Sequence, residues 1–404
     1  MKVVLVLDVF PKVSTTFIVN KFVGLLERGV DVHVACWTSE PKAWATFPQL
    51  EAPELRRRVH VVPAVRHPWA TVDLARTLAR SPGRFDAGQV RSPLHVWLAA
   101  LNPDLVHFEF GARAARYLRP GERFDYPVLV SFRGYDLNCA GLDRPGFYDG
   151  VWHAADALHL LGNDLWRRAQ ERGCPPDKPH VLIPPAVDAE LFTPQPRATD
   201  TVGTEERPLR LLSVGRLHWK KGYEWAMQAV RALLDRGVVV EYHLVGDGHD
   251  RDSVVARIDD LDLAGSVRLL GAQPRPVVKE QLQWADVFLH PAVSEGFCNA
   301  VMEAQAMEVP VVCTDADGLA ENVVDGQTGF VVGRRDPGAL ARAISCLADE
   351  PELRTRFGRA GRRRVETTFR PEVQIDAFLA LYESVSGTKV RSSSSSALAE
   401  RRAG

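Results

Sequence analysis

Thirteen short apolar runs constrain this chain more than any other feature. Seven lie in the first half ("KVVLVLDVF", "VDVHVACW", "RVHVVP", "PDLVHFEF", "PVLVSFRG", "ALHLLG", "HVLIPP"). Six lie in the second ("LRLLSVGRL", "VVVEYHLVGDG", "SVRLLGA", "DVFLHP", "VPVVCTD", "GFVVG"). Most are continuous and β-branched rather than alternating, the pattern of strands covered on both faces. With helical stretches after them, they predict parallel sheets with helices packed outside. The rhythm breaks at "TPQPRATDTVGTEERP" (Thr193 to Pro208), which is rich in Pro, Thr and charge and has no apolar period. The fold class expected is therefore α/β, with two Rossmann-like domains in tandem and a cleft between them. The first is expected over 1–190, a linker over 191–208 and the second over 209–369. A last periodic helix falls at about 370–386, and the Ser-rich, charged tail 387–404 is expected to be disordered.

Bulk composition removes several classes of function. Lys and Arg total 50 against 51 Asp and Glu, so no global nucleic-acid footprint exists and no nucleic-acid partner is expected. The six cysteines are scattered without a C-x-x-C pair, which argues against a structural zinc site or a disulfide framework and suits a reducing compartment. The opening "MKVVLVLDVF" is short, is interrupted by Asp8, and reads as a first buried strand rather than a signal peptide. No apolar run approaches the ~18 residues that span a bilayer. A cytoplasmic location follows, with a peripheral membrane contact offered by "RHPWATVDLARTLARSPGRF" (Arg66 to Phe85). That stretch reads equally as a basic amphipathic helix on anionic lipid or as a solvated surface helix.

In doubly wound sheets the chemistry sits just after the strands. After the first strand, Ser14, Thr15 and Thr16 open a helix, where free amides could hold an anion or the side chains could simply cap. After the first strand of the second half, "SVGRLHWKKGY" places Gly215, Arg216 and Lys221 in a strand-to-helix loop. Such a loop is either a phosphate clamp or a solvated basic turn. "HLVGDG" puts Gly246 at a strand end, and no G-x-G-x-x-G follows the first strand of either half, which counts against a dinucleotide redox enzyme.

The stretch "DVFLHPAVSEGFCNAVMEAQAM" carries the sharpest signal. Glu295 and Gly296 form a turn after a strand, and a helix starts near Asn299. Amides around Phe297, Cys298, Asn299 and Ala300 would be free at that start. Asn299 and Glu303 share a helix face. Two carboxylates so spaced could address vicinal hydroxyls of one ligand, or could be an ordinary turn residue and a solvated helix residue.

These motifs resemble the nucleotide-sugar-dependent glycosyltransferases of the retaining family 4 (glycosyltransferase group 1). The carriers are "GRLHWKKG", "LVGDG", "VRLLGA", "HPAVSEGFCNAVMEAQAMEVPVV" and "ENVVDGQTGFVV". The first half, with "FPKVSTTFIVNKFVGLLERG" and "VHFEFG", resembles the exopolysaccharide, colanic-acid-type branch. The resemblance implies the GT-B fold, with an acceptor-side first domain completed by the last helix. It also implies that Arg216 and Lys221 hold the diphosphate, that Glu303 binds the ribose, and that Glu295 with Gly296 and Phe297 binds the sugar. The backbone at Leu270 and Gly271 would meet the base.

Departures are local. Arg133, followed by Asp136, stands where relatives carry His-Gly, and Pro185-Ala186 replaces Asn-Gly. "DADG" replaces Gly-Gly before Glu321, and Cys298 replaces Gly or Pro. His107 and Glu109, alternate residues of one strand, are expected to line the acceptor side.

The activity implied is transfer of a sugar from a nucleoside diphosphate, UDP or GDP, to a hydroxyl of a saccharide, lipid-linked or small-molecule acceptor with retention (EC 2.4). No tightly bound cofactor is expected. No metal is expected either: Arg216, Lys221 and the helix start take its place, and the D-x-D of "TDADG" (Asp315, Asp317) matches the family's Gly loop. The alternatives are a nucleotide-sugar 2-epimerase of similar fold and a non-catalytic nucleotide-sugar-binding protein.

Overall fold

The computed structural model describes residues 1–12, 15–62, 93–120, 124–197 and 200–390. Ser14, the Arg66–Phe85 stretch and the tail from 391 therefore lie outside the described residues. All thirteen expected runs are strands: β1 Lys2–Val9, β2 Asp31–Thr38, β3 Val59–Val61, β4 Leu105–Phe108, β5 Val128–Phe132, β6 Ala157–Leu160, β7 His180–Leu182, β8 Leu209–Val214, β9 Val240–Val245, β10 Val267–Gly271, β11 Val287–His290, β12 Val311–Thr314 and β13 Gly329–Val332.

The chain divides into two compact units. The first comprises Met1–Leu161, Leu165–Ile183 and Gln374 onward, and the second Gly162–Asp164 and Pro184–Val373. The first unit holds one sheet in the order β3-β2-β1-β4-β5-β6-β7, parallel throughout. β4 and β5 are buried along their whole length, as both-face coverage requires. The helix Thr16–Glu27 covers β1 and β2 on one side. The last helix, Pro371–Ser386, buries Ile375, Phe378, Leu381 and Tyr382 in the same core. Gly24 permits that close approach: a Cβ there would lie 2.8 Å from Ile375 Cγ1.

The second unit holds the order β10-β9-β8-β11-β12-β13, again parallel. Successive residues of β8 serve opposite layers. Leu211 packs with Met227, Tyr242 and Leu244, while Leu212 packs with Phe288, Met302 and Met307. Both sheets thus have the Rossmann-like architecture that the sequence predicts. In each, the strand order reverses beside the first strand, at β1/β4 and at β8/β11. Ligands of open α/β sheets bind outside the carboxyl ends of the strands at such a reversal.

Candidate functional site

The β8/β11 reversal gathers the Arg-Lys loop and the Glu-Gly turn. After β8 the chain passes Gly215 and Arg216 and makes a short turn, Trp219–Lys221, that ends at Gly222 with φ +67°. A side chain at Gly222 would be strained, and its Cβ would sit 2.0 Å from the Pro291 carbonyl oxygen. This contact presses the β8 loop against the β11 loop, and the Val293 N–H fixes it by donating to the Lys220 carbonyl (2.8 Å). The Lys221 ammonium is thereby brought onto the Glu295 carboxylate. Arg216 is exposed and pairs with no carboxylate among the described residues.

Glu295 is the most strongly polarised group here. Burial would raise its pKa, but Lys221 and then His290, whose Nε2 lies 3.4 Å from Oε2, outweigh that and hold it at about 2. Lys221 is correspondingly raised: burial opposes its charge and Glu295 more than restores it. On the other edge of the imidazole, Nδ1 lies 4.0 Å from Cys298 Sγ. Burial disfavours the Cys298 thiolate, but His290 and Lys221 draw its pKa below the usual thiol value. Cys298 thus has a physical account: it closes a thiol–imidazole–carboxylate–ammonium row.

The turn itself is anchored by "DADG". Asp317 accepts from Ser294 Oγ (2.7 Å) and from the Glu295 N–H (3.2 Å), and the Gly318 N–H donates to the Glu295 carbonyl (3.0 Å). Arg334 lies 3.2 Å from both Asp315 and Asp317, so this D-x-D pair is answered by a guanidinium.

The helix beyond the turn runs Asn299–Ala306. The N–H groups of Gly296, Phe297, Asn299 and Ala300 meet no acceptor among the described residues, the condition for anion binding at a helix start. Cys298 departs from expectation. Its N–H donates to Asn322 Oδ1 (3.1 Å) while Asn322 Nδ2 donates to its carbonyl (3.2 Å), so its amide is engaged. Glu303 is nearly buried. Burial raises its pKa, and Arg275, whose Nη2 lies 3.3 Å from Oε1, partly offsets the rise. At the neighbouring strand ends Gly215 donates to Val245 (2.9 Å) and Gly246 to Gly271 (2.8 Å). The Leu270 carbonyl accepts from Gln273 Nε2 (2.5 Å).

The first unit carries a second polar group beneath its own reversal, and here the expectation needs correction. His107 is fully buried, and both ring nitrogens are engaged. Nδ1 lies 2.7 Å from the Tyr382 hydroxyl, and Nε2 lies 2.7 Å from Ser131 Oγ, which also meets His159 Nδ1 at 2.7 Å. Burial pushes both imidazoles well below their usual pKa, so they are neutral. Glu109 is also fully buried, paired with Lys21 and lying 3.2 Å from Arg133 Nη2. Neither His107 nor Glu109 lines a surface, because the last helix covers the face they share.

Arg133 keeps an edge in solvent, its guanidinium 4.1 Å from the centre of the Phe17 ring. Asp136 ties two loops together by accepting from the N–H groups of Ala112 and Arg133 (both 2.9 Å). Burial raises its pKa to about 6 despite these bonds. Thr15 offers no side-chain cap to the helix it precedes; its hydroxyl donates to the Lys12 carbonyl (3.2 Å).

Comparison with known proteins identifies the family. The chain is 30% identical to the putative colanic acid biosynthesis glycosyltransferase WcaL of Escherichia coli, over 92% of this chain and 97% of that one. The chain belongs to the glycosyltransferase group 1 family. A sequence model described as "Glycosyl transferases group 1" matches residues 195–364 of this glycosyltransferase. It is also 27% identical to the amylovoran biosynthesis glycosyltransferase AmsK of Erwinia amylovora, over 90% of this chain and 95% of that one. In fold it matches the Anabaena protein HepE, solved with UDP, at a TM-score of 0.72 and 16% identity, over 95% of this chain and all of that one. No helix among the described residues is long and apolar enough to cross a membrane.

The glycosyltransferase therefore brings Gly215, Lys221, Glu295, Gly296 and Phe297 together around one reversal, with Arg216 on the same loop. Its His290, Asn322 and Arg334 escaped sequence reasoning, and Asp317 was read only as part of a D-x-D that matches the family's Gly loop. His290 alone had a local signal, a polar residue closing a buried strand before Pro291. The other three act through partners far along the chain.

Proposed function

We propose that this glycosyltransferase moves a sugar from a nucleoside diphosphate to an acceptor hydroxyl with retention, and that the β8/β11 reversal is its donor site. The observation that carries the reading is the Lys221–Glu295 pair beside helix-start amides and an Arg216 that meet no partner among the described residues. The reaction leaves negative charge on the departing diphosphate, and preorganised cations and amides are what stabilise it. Arg216, Lys221 and the amides of Asn299 and Ala300 would take the diphosphate. Glu295 would accept hydrogen bonds from hydroxyls of the donor sugar, and the Gly296 and Phe297 N–H groups would donate to its oxygens. Glu303 would accept the ribose hydroxyls, with Leu270 and Gly271 near the base. Retention is the part that rests on family resemblance.

A UDP- or GDP-sugar is the proposed donor, in keeping with HepE, which has been solved with UDP-glucose. The names of the colanic acid and amylovoran relatives support a role in exopolysaccharide assembly. A saccharide or lipid-linked acceptor at the cytoplasmic side of a membrane fits that role. The acceptor is assigned to the first unit, where Arg133 can meet an acidic group. The reported relatives are glycosyltransferases, and nothing in them favours the 2-epimerase.

Incubation with a panel of nucleotide-sugars in the absence of acceptor tests the reading. Slow hydrolysis of one donor, strongly reduced in Arg216→Ala, supports it. Inversion at the sugar C2 without release of nucleotide would overturn it.

A further inference from the structure

The row formed by Cys298, His290 and Glu295 contains more coordinating chemistry than sugar binding needs. A carboxylate and amides suffice to hold a sugar, yet a thiol and an imidazole lie directly behind them. One ligand atom from each of the three residues can be chosen so that all lie within 4.8 Å of one another. We propose that His290, Glu295 and Cys298 form a site for a thiophilic divalent cation of the Zn²⁺ type, and that filling it stops sugar transfer.

Three observations support the site. The first is distance. A tetrahedral zinc with bonds of about 2.0–2.3 Å places its ligand atoms roughly 3.3–3.6 Å apart. Cys298 Sγ is 4.0 Å from His290 Nδ1, and His290 Nε2 is 3.4 Å from Glu295 Oε2. These two distances run to different nitrogens of the ring; with one nitrogen chosen, the three ligand atoms lie within 4.8 Å of one another, so closure asks for movements on the order of 1 Å. The second is preorganisation. His290 ends β11 and is in register with Cys313 of β12. Cys298 is clamped through both its N–H and its carbonyl by Asn322, and the Glu295 backbone is held by Asp317 and Gly318. The third is donor type. A thiolate with an imidazole and one carboxylate suits Zn²⁺ or Cd²⁺, whereas Mg²⁺ and Ca²⁺ favour sets made of oxygen.

Lys221 sets the consequence. It occupies the same carboxylate, so a cation that takes Glu295 must displace the ammonium, and two positive centres then stand side by side. Such a site binds reversibly and competes with the working arrangement. Coordination takes Cys298 as thiolate, so the thiol proton is released as the metal binds. The inhibitory half rests on the assignment of Glu295 to the donor sugar; the binding half does not.

Cd²⁺ titration of the full chain, read by cadmium–thiolate absorption in the ultraviolet, tests the site directly. One equivalent should bind, and Cys298→Ser should lose that band while keeping its circular dichroism. A band that persists in Cys298→Ser, through exposed Cys139 for example, or the absence of any band, overturns the proposal. X-ray absorption at the zinc edge of the wild-type protein gives a second reading that needs no variant. One sulfur with nitrogen and oxygen neighbours is expected, and a shell without sulfur is fatal. In transfer assays Zn²⁺ should inhibit where equal Mg²⁺ does not, and rising donor should relieve it at least several-fold. If Cd²⁺ binds through Cys298 but donor and Zn²⁺ do not compete, the metal site stands and the placement of the sugar at Glu295 falls.

Discussion

Each unit places one Lys–Glu pair beneath the reversal of its sheet, and the two pairs are built for different work. Lys21 and Glu109 are 2% and 0% exposed; Lys221 and Glu295 are 15% and 16% exposed. In the first unit burial wins, and the Lys21 pKa falls to about 8 although Glu109 opposes the fall. In the second the pair wins, and Glu295 falls to about 2. The same two side chains make an internal strut where a helix seals them and a candidate binding site where a glycine turn leaves an edge open. The seal is Pro371–Ser386, whose Tyr382 meets His107 and whose Phe378 ring centre lies 4.3 Å from the Lys21 ammonium.

Stability should show the larger contrast. Glu109→Ala strands the Lys21 ammonium in the core, and breaking a buried pair in this way costs about 3–5 kcal/mol. Glu295→Ala leaves Lys221 free to reach solvent and should cost clearly less. Denaturant midpoints of the two variants measure the difference, and equal losses would erase the distinction between strut and site. Turnover should reverse the ranking. Lys221→Ala removes the charge proposed to face the leaving diphosphate and should lower kcat roughly 10²–10³-fold, the range for loss of one electrostatic stabiliser. Its melting temperature should fall, because Glu295 loses the cation that holds it ionised, but by less than that of Glu109→Ala. Near-normal turnover in Lys221→Ala would remove it from the donor site.

The units should also differ in the sign of their acid response. Glu295 is held at about 2 against an ordinary 4.5, so its unfolded form binds more protons between those values. Stability from this group is present above pH 4.5 and is lost as pH falls towards 2. Asp136 is raised from an ordinary 3.8 to about 6, so its folded form binds more protons in that window. Stability from this group is present below 3.8 and is lost as pH rises through 6. Asp136→Asn should flatten the decline between pH 4 and 6, and Glu295→Gln should flatten the rise between 2 and 4.5. Urea midpoints across pH measure both, and slopes of the same sign in the two windows would contradict the assignments.

The strands were legible because burial on both faces writes itself into local composition: the five consecutive core residues of β1 form a short run rich in valine, the look of a covered strand. Lys221 and Glu295 were legible because they follow strands that flank the reversal. Burial of His107 was not. Alternation tells which face of β4 a residue takes, but not whether that face is covered, and its cover arrives 275 residues later as Tyr382. Asn322 on Cys298 and Arg334 on Asp315 and Asp317 were hidden for the same reason, since a side-chain partner supplied by another loop leaves no period in the sequence.

The smallest expected effect tests the open edge itself. Arg275 is about half exposed, and its ion pair with Glu303 engages the carboxylate assigned to the ribose. With Arg275 in solvent the pair is screened from that side although Glu303 is nearly buried, and it is worth about 1 kcal/mol. Removing the competitor in Arg275→Ala should therefore lower the donor KM by at most about fivefold and leave kcat unchanged, measured at a pH well above the carboxylate range so that Glu303 stays ionised. No comparable competitor can be stripped from the sealed pair of the first unit, where the partners of Glu109 are part of the packing. A tenfold rise in KM would instead make Arg275 a donor contact in its own right, and the open site would then extend one residue further towards the base.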